Sequence, residues 1–107
     1  MTPFEEILEK IHELHLAKQQ DYGRPGDPFH NVRQGANFAG LDDWVAAMIR
    51  AQDKMGRLSV VAQGGTLTNE GIEDSFIDLI AYTAIALCLY KEQSMREHPS
   101  NQQARKI

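Results

Sequence analysis

Glu70-Gly71-Ile72-Glu73-Asp74-Ser75-Phe76-Ile77-Asp78-Leu79-Ile80-Ala81-Tyr82 is the stretch on which the reading of this chain turns. Glu70, Asp74 and Asp78 recur at steps of four, which on an α-helix stacks them along one face. Farther along that face come Ala81, Tyr82, Ile85, Cys88 and Leu89, and the opposite face carries Phe76, Leu79, Ile80, Leu87 and Tyr90. The spacing predicts a helix that is oily on two sides, with acids entering one of them. Acids that run into a buried face are costly unless something cationic meets them. A metal ion, a cluster of Arg and Lys, or both would meet that need.

Outward from this stretch, the pattern stays helical. Thr68 or Asn69 is placed to cap the last helix, which is expected to run to around Arg96. Upstream, Gly64-Gly65 ends a helix expected from Trp44 to about Gln63, with Asp42 or Asp43 as its cap. Its main apolar stripe is Trp44, Met48, Ala51, Met55, Leu58 and Ala62. Arg50, Asp53, Lys54 and Arg57 lie roughly opposite. Farther back, Phe29 to Phe38 reads as a short helix with Phe29, Val32 and Ala36 on one side. The interval from Asp21 to Leu41 is otherwise dense in turn formers and makes the long connection from which lids and binding loops are often built. At the start, Thr2-Pro3-Phe4-Glu5 reads as a capping box. Phe4, Ile7, Leu8, Ile11 and Leu14 then follow helical spacing to about Gln20. There is no internal repeat and no convincing strand. The expectation is an all-α bundle of three long helices plus one short one, with residues 1–97 as a single domain and 98–107 as a polar tail.

Composition narrows the function classes. With 107 residues the chain makes one domain and one core. A net charge of −4 argues against stable binding of duplex nucleic acid, although local cationic stripes are compatible with it. The single cysteine, Cys88, excludes an internal disulfide. The N-terminus lacks a secretory pattern, and the longest apolar run contains Asp78 and is too short for a bilayer. A cytoplasmic protein is the expectation.

Each candidate for chemistry has a plainer reading beside it. Acids suit the first turn of a helix by complementing its dipole, which accounts for Glu70, Glu73 and Asp74. It does not account for Asp78, about two turns in. Asp53, Lys54 and Arg57, with Arg50, are either a solvated helix face or a buried set, in which Asp53 adds a metal ligand and Lys54 and Arg57 neutralise phosphate oxygens or pair with the acids of the last helix. Asp21-Tyr22-Gly23 and Phe29-His30-Asn31 are either a turn and a helix start or a loop that stacks a base on Tyr22 or Phe29 and hydrogen-bonds it through Asn31. His12 and His15 fit neither a zinc-protease motif nor a di-iron bundle and read as surface residues. Cys88 reads as buried and inert.

Several of these motifs, in this order, resemble a known group. Lys18-x-x-Asp21-Tyr22-Gly23, Asp27-Pro28-Phe29-x-Asn31, Trp44-Val45, Asp53-Lys54-x-x-Arg57-Leu58 and Glu70-x-x-x-Asp74-x-x-x-Asp78-Leu79-x-x-Tyr82 are similar to nucleotide-modification-associated, MazG-like proteins of phages and bacteria. The likeness spans about Lys18 to Tyr90. It implies a MazG-like bundle of the all-α nucleoside triphosphate pyrophosphatases, which hold Mg²⁺ with acids from two helices and hydrolyse the α–β phosphate bond.

On that resemblance, Asp53, Glu70, Asp74 and Asp78 would bind Mg²⁺ (or Mn²⁺) and do the catalytic work. Lys18, Asp21, Tyr22, Asn31, Lys54 and Arg57 would bind the (deoxy)nucleoside triphosphate. A homo-dimer or tetramer would complete the sites. The chain departs from the usual Glu-Glu-x-x-Glu cluster and Glu-x-x-Asp pair. It offers only Asp53 on the earlier helix and acids spaced by four on the later one. A binding module that keeps the bundle without hydrolysis is the alternative function, and a purely structural ion-pair network is a third reading.

Overall fold

The computed structural model describes residues 1–22, 27 and 29–98, with the side chains of residues 19–22 left out. The chain is all-α: α1 (Pro3–Tyr22), α2 (His30–Ala39), α3 (Asp43–Ala62) and α4 (Ile72–Glu97), with no β-strand among the described residues. That is three long helices and one short one. No described helix is long and apolar enough to cross a membrane.

Local chemistry explains most helix ends. Thr2 and Glu5 form the expected capping box: Thr2 Oγ1 accepts from Glu5 N at 3.1 Å, and Glu5 Oε1 accepts from Thr2 N at 3.2 Å. α1 continues through Asp21 and Tyr22, two residues beyond the expected stop at Gln20. Gly40 follows α2 in the left-handed region at φ 69°, and Leu41 N donates back to Ala36 O at 2.9 Å, a Schellman-type ending. Gly64, at φ 92°, performs the same turn after α3. Asp42 holds the N-cap position of α3 in extended conformation, without a side-chain cap bond.

The start of α4 differs from the expectation. Neither Thr68 nor Asn69 caps it: the N-cap is Gly71, and Glu70 lies outside the helix. The run of acids at steps of four is therefore helical only from Asp74 to Asp78. Glu70 reaches the same region from the connection, by a side-chain route that no periodicity describes.

α3 and α4 pack antiparallel. Trp44 meets Tyr90 edge-on at 5.8 Å at one end, and Lys54 meets Glu70 and Asp78 at the other. α2 rests on α3, and α1 leans on α4. The core gathers Val32, Ala47, Ala86 and Leu89, with Phe29, Trp44 and Ile85 against it. It is small because the buried contact positions of α3 are Ala47 and Ala51 rather than the bulky residues beside them. Met48 and Met55, expected on the inner stripe, are exposed. The two oily sides of α4 also part company: Ile77, Ala86 and Leu89 are buried, while Phe76, Ile80, Leu87 and Tyr90 face outward. Cys88, read as buried from its apolar surroundings, is exposed.

Candidate functional site

The polar centre of the molecule is a six-residue cluster built by α1, α3, α4 and the connection before α4. Lys54 projects from α3 and places Nζ 2.9 Å from Glu70 Oε1 and 3.2 Å from Asp78 Oδ2. Lys18 of α1 reaches the other Asp78 oxygen at 3.1 Å. Ser75, fully buried in the first turns of α4, shares its hydroxyl between Glu70 Oε2 and Gly71 O, each at 3.2 Å. Arg57, one helical turn beyond Lys54, brings Nε to 3.2 Å from Glu70 Oε2. That N–H is not aimed at the oxygen, so the pair is a charge contact rather than a hydrogen bond.

Lys54, Glu70 and Asp78 expose only 16–17% of their side chains. Burial opposes the charge on Asp78, but the ammonium groups of Lys18 and Lys54 outweigh it and hold the carboxyl below its ordinary range. Burial likewise opposes the charge on Lys54, and its bonds to Glu70 and Asp78 raise it above an ordinary lysine. Lys54 and Asp78 thus favour each other's charged forms.

Beside the cluster lies an apolar groove. Ile11, Leu14, Ile77 and Ile85 form its floor and walls, with Phe29 and Tyr82 as its aromatic sides. Lys18, Asn31, Arg50 and Asp78 line it as the polar groups. Arg50 stacks over the Tyr82 ring at 5.9 Å, and His15 packs against Phe29 at the same centroid distance. Burial lowers the His15 pKa, with the nearby His12 adding to the effect, so the imidazole favours its neutral form.

The residues singled out from sequence fall into four groups. Glu70, Asp78, Lys18, Lys54 and Arg57 come together in the cluster. Asn31 lies on the adjoining groove. Asp53 and Asp74 stand apart. Asp53 exposes 65% of its side chain and lies 3.6 Å from Arg57, one turn along its own helix. Asp74 is an exposed first-turn acid of α4, its Oδ2 close to Gly71. That is the dipole role that first-turn acids commonly fill. The side chains of Asp21 and Tyr22 lie outside the described residues.

Two sites of interest escaped the sequence reading. Sequence groups Arg50 with Asp53, Lys54 and Arg57, but its place over Tyr82 depends on how α3 and α4 cross. Arg33 was not singled out at all. It binds Asp27 Oδ1 through Nε at 2.9 Å, Asp43 Oδ2 through Nη1 at 3.1 Å, and both oxygens of Glu92 at 2.9 Å. The partners are scattered over 65 residues of sequence, so no spacing rule points to them.

Glu70 and Asp78 are each tied to Lys54, and among the described residues no three His, Cys, Asp or Glu side chains are grouped to hold a metal ion. In one chain, this donor set does not fit a Mg²⁺ ion that needs several oxygens at about 2.1 Å. No family model, curated protein or solved structure matches the chain.

Proposed function

We propose that this protein binds a (deoxy)nucleoside triphosphate, with the base in the groove between Phe29 and Tyr82 and the phosphates toward Lys18 and Arg50. One observation carries the reading: in a chain of net charge −4, two cationic side chains, an amide and two aromatic rings line a single apolar groove. Apolar walls with a few convergent polar groups are the usual form of a small-molecule site. Aromatic faces take a base by stacking, and Lys and Arg take phosphate oxygens by charge-assisted hydrogen bonds. Lys54 and Arg57 lie behind this mouth, their charges met by Glu70 and Asp78.

The resemblance to MazG-like pyrophosphatases supports a nucleotide as the ligand and a role in nucleotide metabolism, in the cytoplasm of a bacterium or a phage-infected cell. Of the two forms of that reading, the binding module is favoured. Of the four carboxylates that would hold Mg²⁺ for hydrolysis of the α–β bond, Glu70 and Asp78 are paired with lysines and Asp53 and Asp74 stand apart in solvent, and no hydrolytic step follows from that geometry. The outward-facing Phe76, Leu87 and Tyr90 of α4 support a homo-dimer or tetramer.

Calorimetric titration of the full chain with each dNTP, and with the matching monophosphate, tests this. Triphosphates are expected to bind more tightly than monophosphates, and Lys18→Met to weaken binding roughly tenfold, the value of one charged contact. Pyrophosphate release is measured in the same samples with and without Mg²⁺. Absence of binding by every nucleotide overturns the reading, and sustained Mg²⁺-dependent release replaces the binding module with the hydrolase.

A further inference from the structure

We propose that Lys54 is the resident cation of the Glu70–Asp78 pair: its ammonium holds the place between the two carboxylates and closes it to divalent ions. The proposal concerns the cluster behind the groove and stands whether or not the groove takes a nucleotide.

Three observations converge on it. First, all four carboxylate oxygens are already engaged. Lys54 Nζ bridges Glu70 Oε1 and Asp78 Oδ2, Lys18 Nζ takes Asp78 Oδ1, and the Ser75 hydroxyl and Arg57 take Glu70 Oε2. The bridged pair of oxygens, one from each residue, is the pair a metal ion would have to use.

Second, the charges balance without a metal. Lys18, Lys54 and Arg57 face Glu70 and Asp78, and even when the exposed Asp53 is included the set is neutral. A divalent ion would add positive charge where no deficit exists, at distances of a few ångströms and in a partly desolvated place where such repulsion is poorly screened.

Third, the bridge is built into the fold. Lys54 is 16% exposed, Glu70 and Asp78 are 17% exposed, and Ser75 behind them is fully buried. An ammonium on α3 thus neutralises an acid on α4 and another on the connection leading to it. Removing the ammonium alone leaves two partly buried carboxylates facing each other without a bridging cation. With Asp53 counted, Lys18 and Arg57 then face three carboxylates, a deficit of one positive charge that a divalent ion between Glu70 and Asp78 can meet.

The test uses the full chain and Mn²⁺ as the probe, with bound ion read by electron paramagnetic resonance and stability by thermal unfolding. Wild type is expected to show no saturable Mn²⁺ binding and a Tm that Mg²⁺ and Mn²⁺ leave in place. Lys54→Met is expected to lower Tm in chelator, to gain a bound Mn²⁺ signal, and to recover Tm as the metal is added. A purely structural lysine would give the fall in Tm without the gained signal. Saturable Mn²⁺ binding by wild type, or a folded Lys54→Met that binds none, overturns the proposal. If Lys54→Met does not fold in chelator, refolding in Mn²⁺ decides: recovery of helical structure only with metal supports the proposal, and no recovery overturns it.

Discussion

Arg33 meets three carboxylates from three parts of the chain, and nothing in its local sequence distinguishes it. Its guanidinium uses a planar fork to hold both oxygens of Glu92 while Nε takes Asp27. Hydrogen bonding to Glu92 raises its already high pKa, so it is charged at every pH at which the protein folds. In return it holds the Glu92 carboxyl below its ordinary range. The network ties the approach to α2, the first turn of α3 and the last turns of α4 to one another. It thereby fixes the start of the helix that supplies Phe29 and Asn31 to the groove. Arg33→Ala leaves three acids around an empty place. With the side chain 26% exposed, the expected loss is about 2 kcal/mol, between the ~0.5 of an exposed pair and the ~4 of a buried one. Urea denaturation measures it, and an unchanged midpoint would show that the four groups do not act together.

Among the elements, α1 is the one least secured. Its outward residues Phe4, Ile7 and Leu8 are exposed, and its specific ties to the rest, among the described residues, include Lys18 to Asp78 and His15 to Phe29. Both ties weaken in acid, and the signs agree. His15 has a folded pKa below its ordinary 6.5, so its contribution is complete above that pH and is lost as the pH falls through the lowered value. Asp78 has a folded pKa below its ordinary 3.8, so its contribution is lost later, as the pH falls through a still more acidic range. Amide hydrogen exchange across a pH series is expected to show α1 losing protection first and α3 keeping it longest. Uniform loss across all four helices would contradict a weakly held α1. Since Ile11, Leu14, His15 and Lys18 of α1 line the groove, the same loosening would open the site.

For the molecule as a whole, the balance between covered and uncovered apolar surface is the notable property. Among the described residues, the buried hydrophobic ones are four alanines, Ala36, Ala47, Ala51 and Ala86, beside Val32, Ile77 and Leu89. Phe38 is 94% exposed and Phe76 52%, with Met55 and Leu87 at 55% each. A small core gives little hydrophobic stabilisation, and large exposed apolar groups gain most by being covered. The expected outcome is self-association: a sedimentation coefficient above that of a monomer and a Tm that rises with protein concentration. Phe76→Glu should weaken the assembly. A monomer with a concentration-independent Tm would show that these faces stay in water.

Helical periodicity, capping residues and glycine stops determined the architecture directly. The capping box at Thr2 and Glu5, the short helix with Val32 and Ala36 inward, and the end of α3 at Gly64 depend on neighbours a few residues away. Part of the cluster was legible for the same reason, since Lys54 and Arg57 lie one turn apart on α3 and Asp78 lies within α4. What only the tertiary structure decided is which charges meet. Glu70 enters from outside α4, Lys18 arrives from a helix sixty residues away, and Asp53 and Asp74, equally acidic on paper, turn to solvent. Periodicity assigns a residue to a face of its own helix. The partner across the gap is set by how helices cross, and that is fixed by packing between residues far apart in the chain.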